Sequence, residues 1–493
     1  MTSNIRLNRV IKYIIVATLI FLSGTVYSQE EVQKLFMGIK LNNVLCGYSE
    51  IFIRDAEKEG KHIMEIVQNT YISFKALGKD IEQQQMFTYH IDKRTGNFIY
   101  HDSYTRQGEH ETAGIMKVIG DSIYINDTIN GELKIAYLPE GTILPNTIYY
   151  SYILDDLGIN NKASVTYHVF DVRSGEARNV IYKKLGGGKL ELEEEEYESV
   201  IVGETDSETG MEIKYWIDVN SGLRLKMESK TGISMYLSDI SIKDKLGVGN
   251  WDENIFIKTN EYIRNIKTIA SMEVEAELSP IPFPSREDLN YPGQVFKGDL
   301  KDNLIKGIFM VNHQKYDGQN AEIFNSDIRF DSETQEYLEA DDMIQSDKPE
   351  LVQLAGEITE GSKDYWEATL RLSNWVADNI DGSILFGTAY ETYKRGEGAC
   401  GSQSMLLAAL CRSVGIPARV VWGCLYIPEY GGGFGSHGWN EIYMGEDAGW
   451  IPLDVTINET DYINSGHLRL GIFKTSVTLI NFFKMDILDY SLK

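Results

Sequence analysis

The chain has 493 residues, 43% of them apolar and 11% aromatic, with 73 acids against 47 bases and a net charge of -26. That length exceeds what one hydrophobic core sustains, so two or three domains are expected. The negative field disfavours phosphate backbones and anionic lipid surfaces, and no basic stripe offsets it, so no nucleic-acid partner is expected.

The opening stretch, MTSNIRLNRVIKYIIVATLIFLSGTVYS, sets Arg6, Arg9 and Lys12 ahead of the apolar run Ile14 to Leu22, with permissive residues at Val26 and Ser28. This is the pattern of a signal peptide over residues 1–28, cut after Ser28. The apolar run is short for a membrane span of about 20 residues, and no cysteine follows the cut to take a lipid. Cleavage removes three cations and no anions, taking the charge from -26 to -29. The expected product is exported, periplasmic or secreted, without stable membrane insertion. Four cysteines are too few to scaffold such a protein. Cys411 and Cys424 are either a disulfide or two small buried apolar residues.

Residues 29–279 read as a β-rich N-terminal domain, a sandwich or an extended antiparallel sheet. SIYINDTI, NTIYYSYIL, ASVTYHVFDV and MEIKYWIDV are rich in β-branched and aromatic residues. YHIDKRTG (89–96) and YWIDVNSG (215–222) echo each other, with a weaker third version in FDVRSGEA (170–177). This is either a structural duplication or the common use of Asp, Ser and Gly in tight turns. The acidic run ELEEEEYE (191–198) reads as a solvated strand edge or loop.

Residues 280–345 read as a proline-rich linker and a small β bridge. Four of the ten prolines fall between Pro280 and Pro292, where they are expected to stop any ladder. From residue 346 the periodicity becomes helical. Leu351, Leu354, Ala355 and Ile358 fall on one face, and Ala368, Leu372, Trp375, Val376 and Ile380 on another, as two helices parted near Gly361. A third helix follows GEGACGSQ (396–403), with Met405, Leu406, Ala409, Leu410 and Val414 as its buried face and Gly415 as its end. ARVVWGCLYI, HGWNEIYM and GWIPLDVT then read as strands. Helices followed by antiparallel strands give an α+β domain over 346–465, to which residues 466–493 add strands packing on the core.

GEGACGSQ sets Cys400 at the first turn of its helix. A thiol there feels the positive end of the helix dipole, and a nearby imidazolium lowers its pKa further. Gly396 and Gly398 let the chain turn sharply and leave room for a substrate carbonyl, while the Cys400 N–H faces the oxyanion formed by attack. Gly398 and Trp439 are the expected substrate-binding residues. The expected base is His437, after a glycine-rich loop, and Asp454 ends the next strand. A tight turn at Gly445 and Glu446 places Asp454 opposite His437; a loop from Gly445 to Gly449 places it opposite Asn440. The first is preferred, with Asp454 orienting the imidazole. Glu397, Glu441 and His467 are expected to be supports or solvated residues.

GEGACGSQSMLLAALCRSVGIPARVV, HGWNEIY and GWIPLDVT together resemble the transglutaminase-like superfamily, relatives of the papain-type thiol enzymes that include transglutaminases and peptide N-glycanases. The similarity covers about residues 345–470. It implies a papain-like fold, a Cys400 nucleophile that forms a thioester with release of an amine, a His437 base and an Asp454 acid. The family often has Ala where Gly438 stands and Pro where Val455 stands. The implied function is acyl transfer or hydrolysis on amide bonds of a protein or peptide substrate, without a cofactor. The motif leaves open whether water or an amine accepts the acyl group. A second oxyanion donor is not placed by it, although Tyr390 and Tyr393 are near in sequence.

Zinc hydrolase spacings, phosphate-binding loops and the GxSxG elbow are absent from the sequence, so no metal is expected. The alternative to an enzyme is a secreted binding or assembly protein that retains the scaffold. The N-terminal half is expected to position or restrict the substrate.

Overall fold

The computed structural model describes residues 32–493 apart from 59, 109, 129–130, 132, 173–174, 208–209, 325–329 and 475–477. The signal-peptide reading of residues 1–28 lies outside the described residues. No helix among those described is long and apolar enough to cross a membrane.

The β-rich N-terminal half is one extended antiparallel sheet. Strand Gln33–Leu41 sits at its middle, paired with Val44–Lys58 on one side and Ile233–Ser238 on the other. From there one arm meanders out to Leu133–Tyr137, and the other runs back to Ser164–Asp171. The sheet curls, because Met37, Ile51, Phe98, Phe170 and Leu225 from both arms share one core, with the rings of Phe98 and Phe170 6.4 Å apart.

The echoed segments end in equivalent turns: Gly96, Gly175 and Gly222 each donate a backbone N–H to the carbonyl of the aspartate four residues earlier. All three glycines have φ between 71° and 74°, a region only glycine enters freely. The acidic run at 191–198 contains a hairpin tip, with Glu193 and Glu194 at positive φ. NTIYYSYIL departs from its expected strand. The Asn146 side chain accepts hydrogen bonds from the N–H groups of Ile148 and Tyr149, which bends the chain into a short helix at Ser151–Leu154.

A second sheet runs Gln294–Lys301, Leu304–Asn312, Ile269–Ile281 and Leu479–Leu492. Pro280 does not stop its ladder: it pairs with Ile480, and Ile281 with Leu479. The inner neighbour pairs only as far as Leu278, so Pro280 stands where one side is already open and no donor is required of it.

The third sheet sets Gly433–Tyr443, the histidine strand, between Phe256–Lys258 and Ala418–Ile427. His467–Ile472 lies beyond Ala418–Ile427, and Trp450–Leu453 pairs with the end of the histidine strand. One core joins this sheet to the second sheet through Met272, Phe309, Trp422, Phe434 and Leu468. Another joins it to helices Pro349–Thr359, Tyr365–Asn379 and Cys400–Ser413. Cys400–Ser413, the cysteine helix, does not bury a single face: Ser402 to Arg412 are buried on every side. Its polar residues are paired, with Gln403 donating to the Gly398 carbonyl and Arg412 to those of Ala418 and Glu339. Cys411 and Cys424 are free thiols in different cores, so they form no disulfide.

The sheets are tied together by residues 249–258. Gly249 and Asn250 pair with Phe74 and Lys75 of the N-terminal sheet. Asp252 accepts from Leu77 and Gly78 N–H at the adjoining hairpin tip. Phe256–Lys258 then pairs with residues 433–435 of the histidine strand. A Cβ at Gly435 would overlap the Phe256 ring, which explains why this end of the strand is glycine.

Glu441, at the other end of the histidine strand, is fully buried between Arg419 and Arg469. Burial alone would raise its pKa, but the two guanidinium groups outweigh burial and hold it below the usual carboxylate range. A carboxylate with a depressed pKa stabilises the fold fully above its unfolded value, near 4.3, and loses that contribution as pH falls through the lower folded value. Glu441→Ala should therefore destabilise the protein at pH 7 by about 3–5 kcal/mol, because two guanidinium groups lose their partner in the interior. Denaturant melts of variant and parent should begin to converge as pH falls below about 4 and converge fully only below the depressed folded value.

Candidate active site

The cysteine helix begins at a junction of short contacts. Gly396 ends the preceding helix, Ala389–Arg395, in the left-handed conformation at φ 74°. Glu397 and Gly398 then pair with Asp381 and Gly382. A Cβ on Gly398 would press against Ser402 and Thr392 at 3.0 Å, so glycine here serves close packing as well as access. The helix N-cap, Ala399, offers no side-chain hydrogen bond. The first N–H groups of the helix therefore have no side-chain cap where Cys400, only partly buried, meets a cavity.

The histidine strand brings His437 beside the thiol, close enough for each to shift the charge of the other. Its Nε2 lies 2.7 Å from Asp454 Oδ2, which leaves Nδ1 for the sulfur. The register differs from both alternatives read from the sequence. Met444 and Gly449 close a loop of residues 445–448, and Asn440 faces Leu453. One further step places Asp454 beside Trp439, two residues from His437. Residues two apart share a face of a strand, so His437 and Asp454 meet diagonally.

The charges follow from the geometry. Desolvation pushes the Cys400 thiol up, but the His437 charge, its hydrogen bond and the Gly438 backbone N–H bring it below the ordinary thiol value. Burial would lower the His437 pKa; Asp454 and Cys400 reverse this and raise it to about 10. Asp454 is fully buried, which alone would raise its pKa, yet His437 and His467 hold it well below the carboxylate range. The favoured state is thiolate, imidazolium and carboxylate.

Of the two readings for His467, support or solvated residue, the structure gives the first: it is buried against Asp454. Its Nε2 lies 3.1 Å from the same Asp454 Oδ2, and its Nδ1 lies 3.2 Å from the Asn464 carbonyl. His437, Asp454 and His467 offer ligand atoms within 4.8 Å of one another, a closeness explained by both imidazoles bonding one carboxylate oxygen. Glu441 is a buried support. Glu397 bonds His110 of the N-terminal sheet at 2.5 Å.

Trp439 does not line the cavity at Cys400. It is 1% exposed, tucked under His437 with the rings 6.2 Å apart, and its edge meets His467. Gly398, Cys400 and His437 do line a cavity of about 990 Å³. Tyr390 and Tyr393 do not line it, and the Tyr390 hydroxyl donates to Glu350 instead. The far wall comes from the N-terminal sheet and from Trp251, which no motif near Cys400 announces. A Cβ at Gly438 would sit 3.4 Å from Gly401 Cα, an ordinary contact, so the alanine common in the family would fit here.

Comparison with known proteins gives one family match, in which the model of the transglutaminase-like superfamily covers residues 352–455. No curated protein matches the chain. Among solved structures, "a Putative Cysteine Protease" from Cytophaga hutchinsonii is 16% identical, over 45% of this chain and 90% of its own, with a TM-score of 0.31. "A Putative Protease" from Parabacteroides distasonis is 12% identical, over 82% of this chain and 70% of its own, with a TM-score of 0.20. Nothing about this chain is carried over from either structure. The match that spans Cys400, His437 and Asp454 is the family's, and residues 352–455 are a transglutaminase-like domain.

Proposed function

We propose that the protein is an exported thiol enzyme that performs acyl transfer or hydrolysis on protein or peptide amides through Cys400, His437 and Asp454. The observation that carries this reading is the His437 imidazole, hydrogen-bonded to Asp454 and set beside the Cys400 thiol. Export rests on the cations, apolar run and small residues at the N-terminus.

Cys400 Sγ attacks the amide carbonyl, and the negative charge that develops on oxygen meets the Cys400 N–H at the uncapped helix end. As the C–N bond breaks, the leaving amine takes the proton from His437 and a thioester remains. Water or a second amine then attacks the thioester, gives its proton to His437 and releases the thiolate. Water yields hydrolysis, and an amine yields a new amide. Asp454 keeps Nδ1 of His437 toward sulfur throughout, and His467 holds Asp454 in place.

Iodoacetamide should label Cys400 at pH 6–7 far faster than a free thiol, which is mostly protonated there. Cys400→Ala and His437→Ala should abolish this fast phase; labelling no faster than free cysteine would overturn the reading. Turnover, which needs the imidazolium as acid, should fall as pH rises through about 10. Incorporation of a labelled amine, measured beside peptide hydrolysis, separates the two acceptors.

Asp454→Asn should lower kcat roughly 100- to 10,000-fold. It should also move the alkaline limb of the pH–rate profile downward, since the anion that raises the His437 pKa is gone. His467→Ala removes one bond to a charged oxygen, a loss of roughly 10- to 100-fold. It should move the same limb less, and His467→Gln, which keeps a donor, should recover part of the rate.

A further inference from the structure

The cavity before Cys400 has two unlike halves. One carries the thiol and imidazole; the other is built from strands more than 300 residues away in sequence, presenting Ile39, Leu41, Ile72 and Phe74. With Trp251 and Ile266 these make the lining largely apolar. At about 990 Å³ it stands at the upper end of the roughly 300–1,000 Å³ of cavities that enclose a small ligand.

The charge of the lining runs against that of the chain. Lys40, Lys79, Arg264 and Lys267 all border the cavity, in a protein whose acids outnumber its bases 73 to 47. No ion pair joins any of the four to a carboxylate among the described residues; Lys40 lies over the Tyr236 ring and Lys267 over that of Tyr462. Two carboxylates also line the cavity, Glu429 and Glu459. Glu459 is fully buried and accepts from the Asn464 backbone and side chain. An apolar chamber bordered by four cations against two carboxylates suits a ligand with an apolar body and an anionic group.

We propose that this cavity binds a small amide with a bulky apolar body and a carboxylate, the apolar part against Ile72 and Phe74 and the carboxylate toward Lys79 and Arg264. The proposal rests on the amide chemistry assigned to Cys400 and names its substrate class. Two sources share this chemistry: an N-acylated amino acid or dipeptide, and a short apolar peptide with a free C-terminus. Lys79 opens its strand next to the hairpin tip held by Asp252, so its place relative to the chamber is set by the connection that joins the sheets.

The test uses the full chain carrying Cys400→Ala, which binds without turnover, and isothermal titration with octanoyl-Gly-Gly, its methyl ester, acetyl-Gly-Gly and the peptide Leu-Leu-Phe-Gly. Octanoyl-Gly-Gly or the peptide should bind at least about tenfold tighter than the ester and than acetyl-Gly-Gly; the tighter of the two identifies the source. Adding Lys79→Ala and Arg264→Ala, both at exposed positions, should remove the preference for acid over ester, and raised salt should weaken it. Equal binding of acid and ester, or of octanoyl and acetyl compounds, would overturn the proposal. The labelling rate of Cys400 in the unmodified chain reports separately on the thiol, so a fast-labelling thiol with no acid preference sinks only this inference. A slow thiol with intact selectivity sinks only the enzymatic reading.

Discussion

The bond from His437 Nε2 to Asp454 Oδ2, 2.7 Å long and closed to solvent, is the interaction on which the site depends. An imidazole buried alone would shed its proton, and a carboxylate buried alone would take one up. Together, with the thiolate on the opposite side of the ring, each compensates the other's desolvation. The fold is arranged so that this pair cannot separate. Trp439 lies along the His437 ring, His467 grips the same carboxylate oxygen, and the Thr456 N–H donates to the other oxygen. Lose the carboxylate, and burial alone decides the charge of the imidazole and hence that of the sulfur.

The histidine strand is pinned at both ends by different means. At its glycine end it pairs with Phe256–Lys258, and the Phe256 ring covers Gly435. At its other end Glu441 is clamped by two arginines. Between them the strand presses on the cysteine helix, where Ser404 donates to the Gly438 carbonyl and Asn440 donates to the Ser404 carbonyl. The distance from sulfur to imidazole is therefore set by packed backbone and does not rely on loop conformation, as a reacting pair requires.

Much of this was legible in the residues, and the parts that were not share a physical cause. Cys400 behind two glycines, the two helices parted at Gly361 and the strand nature of 418–453 follow from local propensity and periodicity. So does the identity of the His437 and Asp454 pair, although its register does not: the loop of residues 445–448 shifts the ladder by two residues from the preferred pairing, which preserves the face. His467 acts from a different strand, and Ile72 and Phe74 from a different sheet, so no spacing in the sequence relates them to Cys400. Trp439 misled because a conspicuous aromatic beside a reactive residue reads as a contact for ligand, whereas here its area is spent on packing. NTIYYSYIL misled because its composition favours a strand while one side chain, Asn146, satisfies the backbone locally.

On the proposed function, the division between the two halves of the cavity separates reactivity from selection. Everything that sets the charge of the sulfur lies between Gly398 and His467, within one packed unit. Everything that makes the chamber apolar and cationic on its far side comes from the N-terminal sheet or from residues 251–267 that leave it. These two sets meet through residues 249–258, which bond the hairpin tip through Asp252 and the histidine strand through Phe256–Lys258. Substitutions in the sheet can therefore reshape the chamber without disturbing the imidazole. The net charge bears on the same proposal: in a chain whose acids outnumber its bases 73 to 47, the cavity that opens on the thiol is bordered by four cations against two carboxylates, so an anionic ligand meets a locally favourable field there.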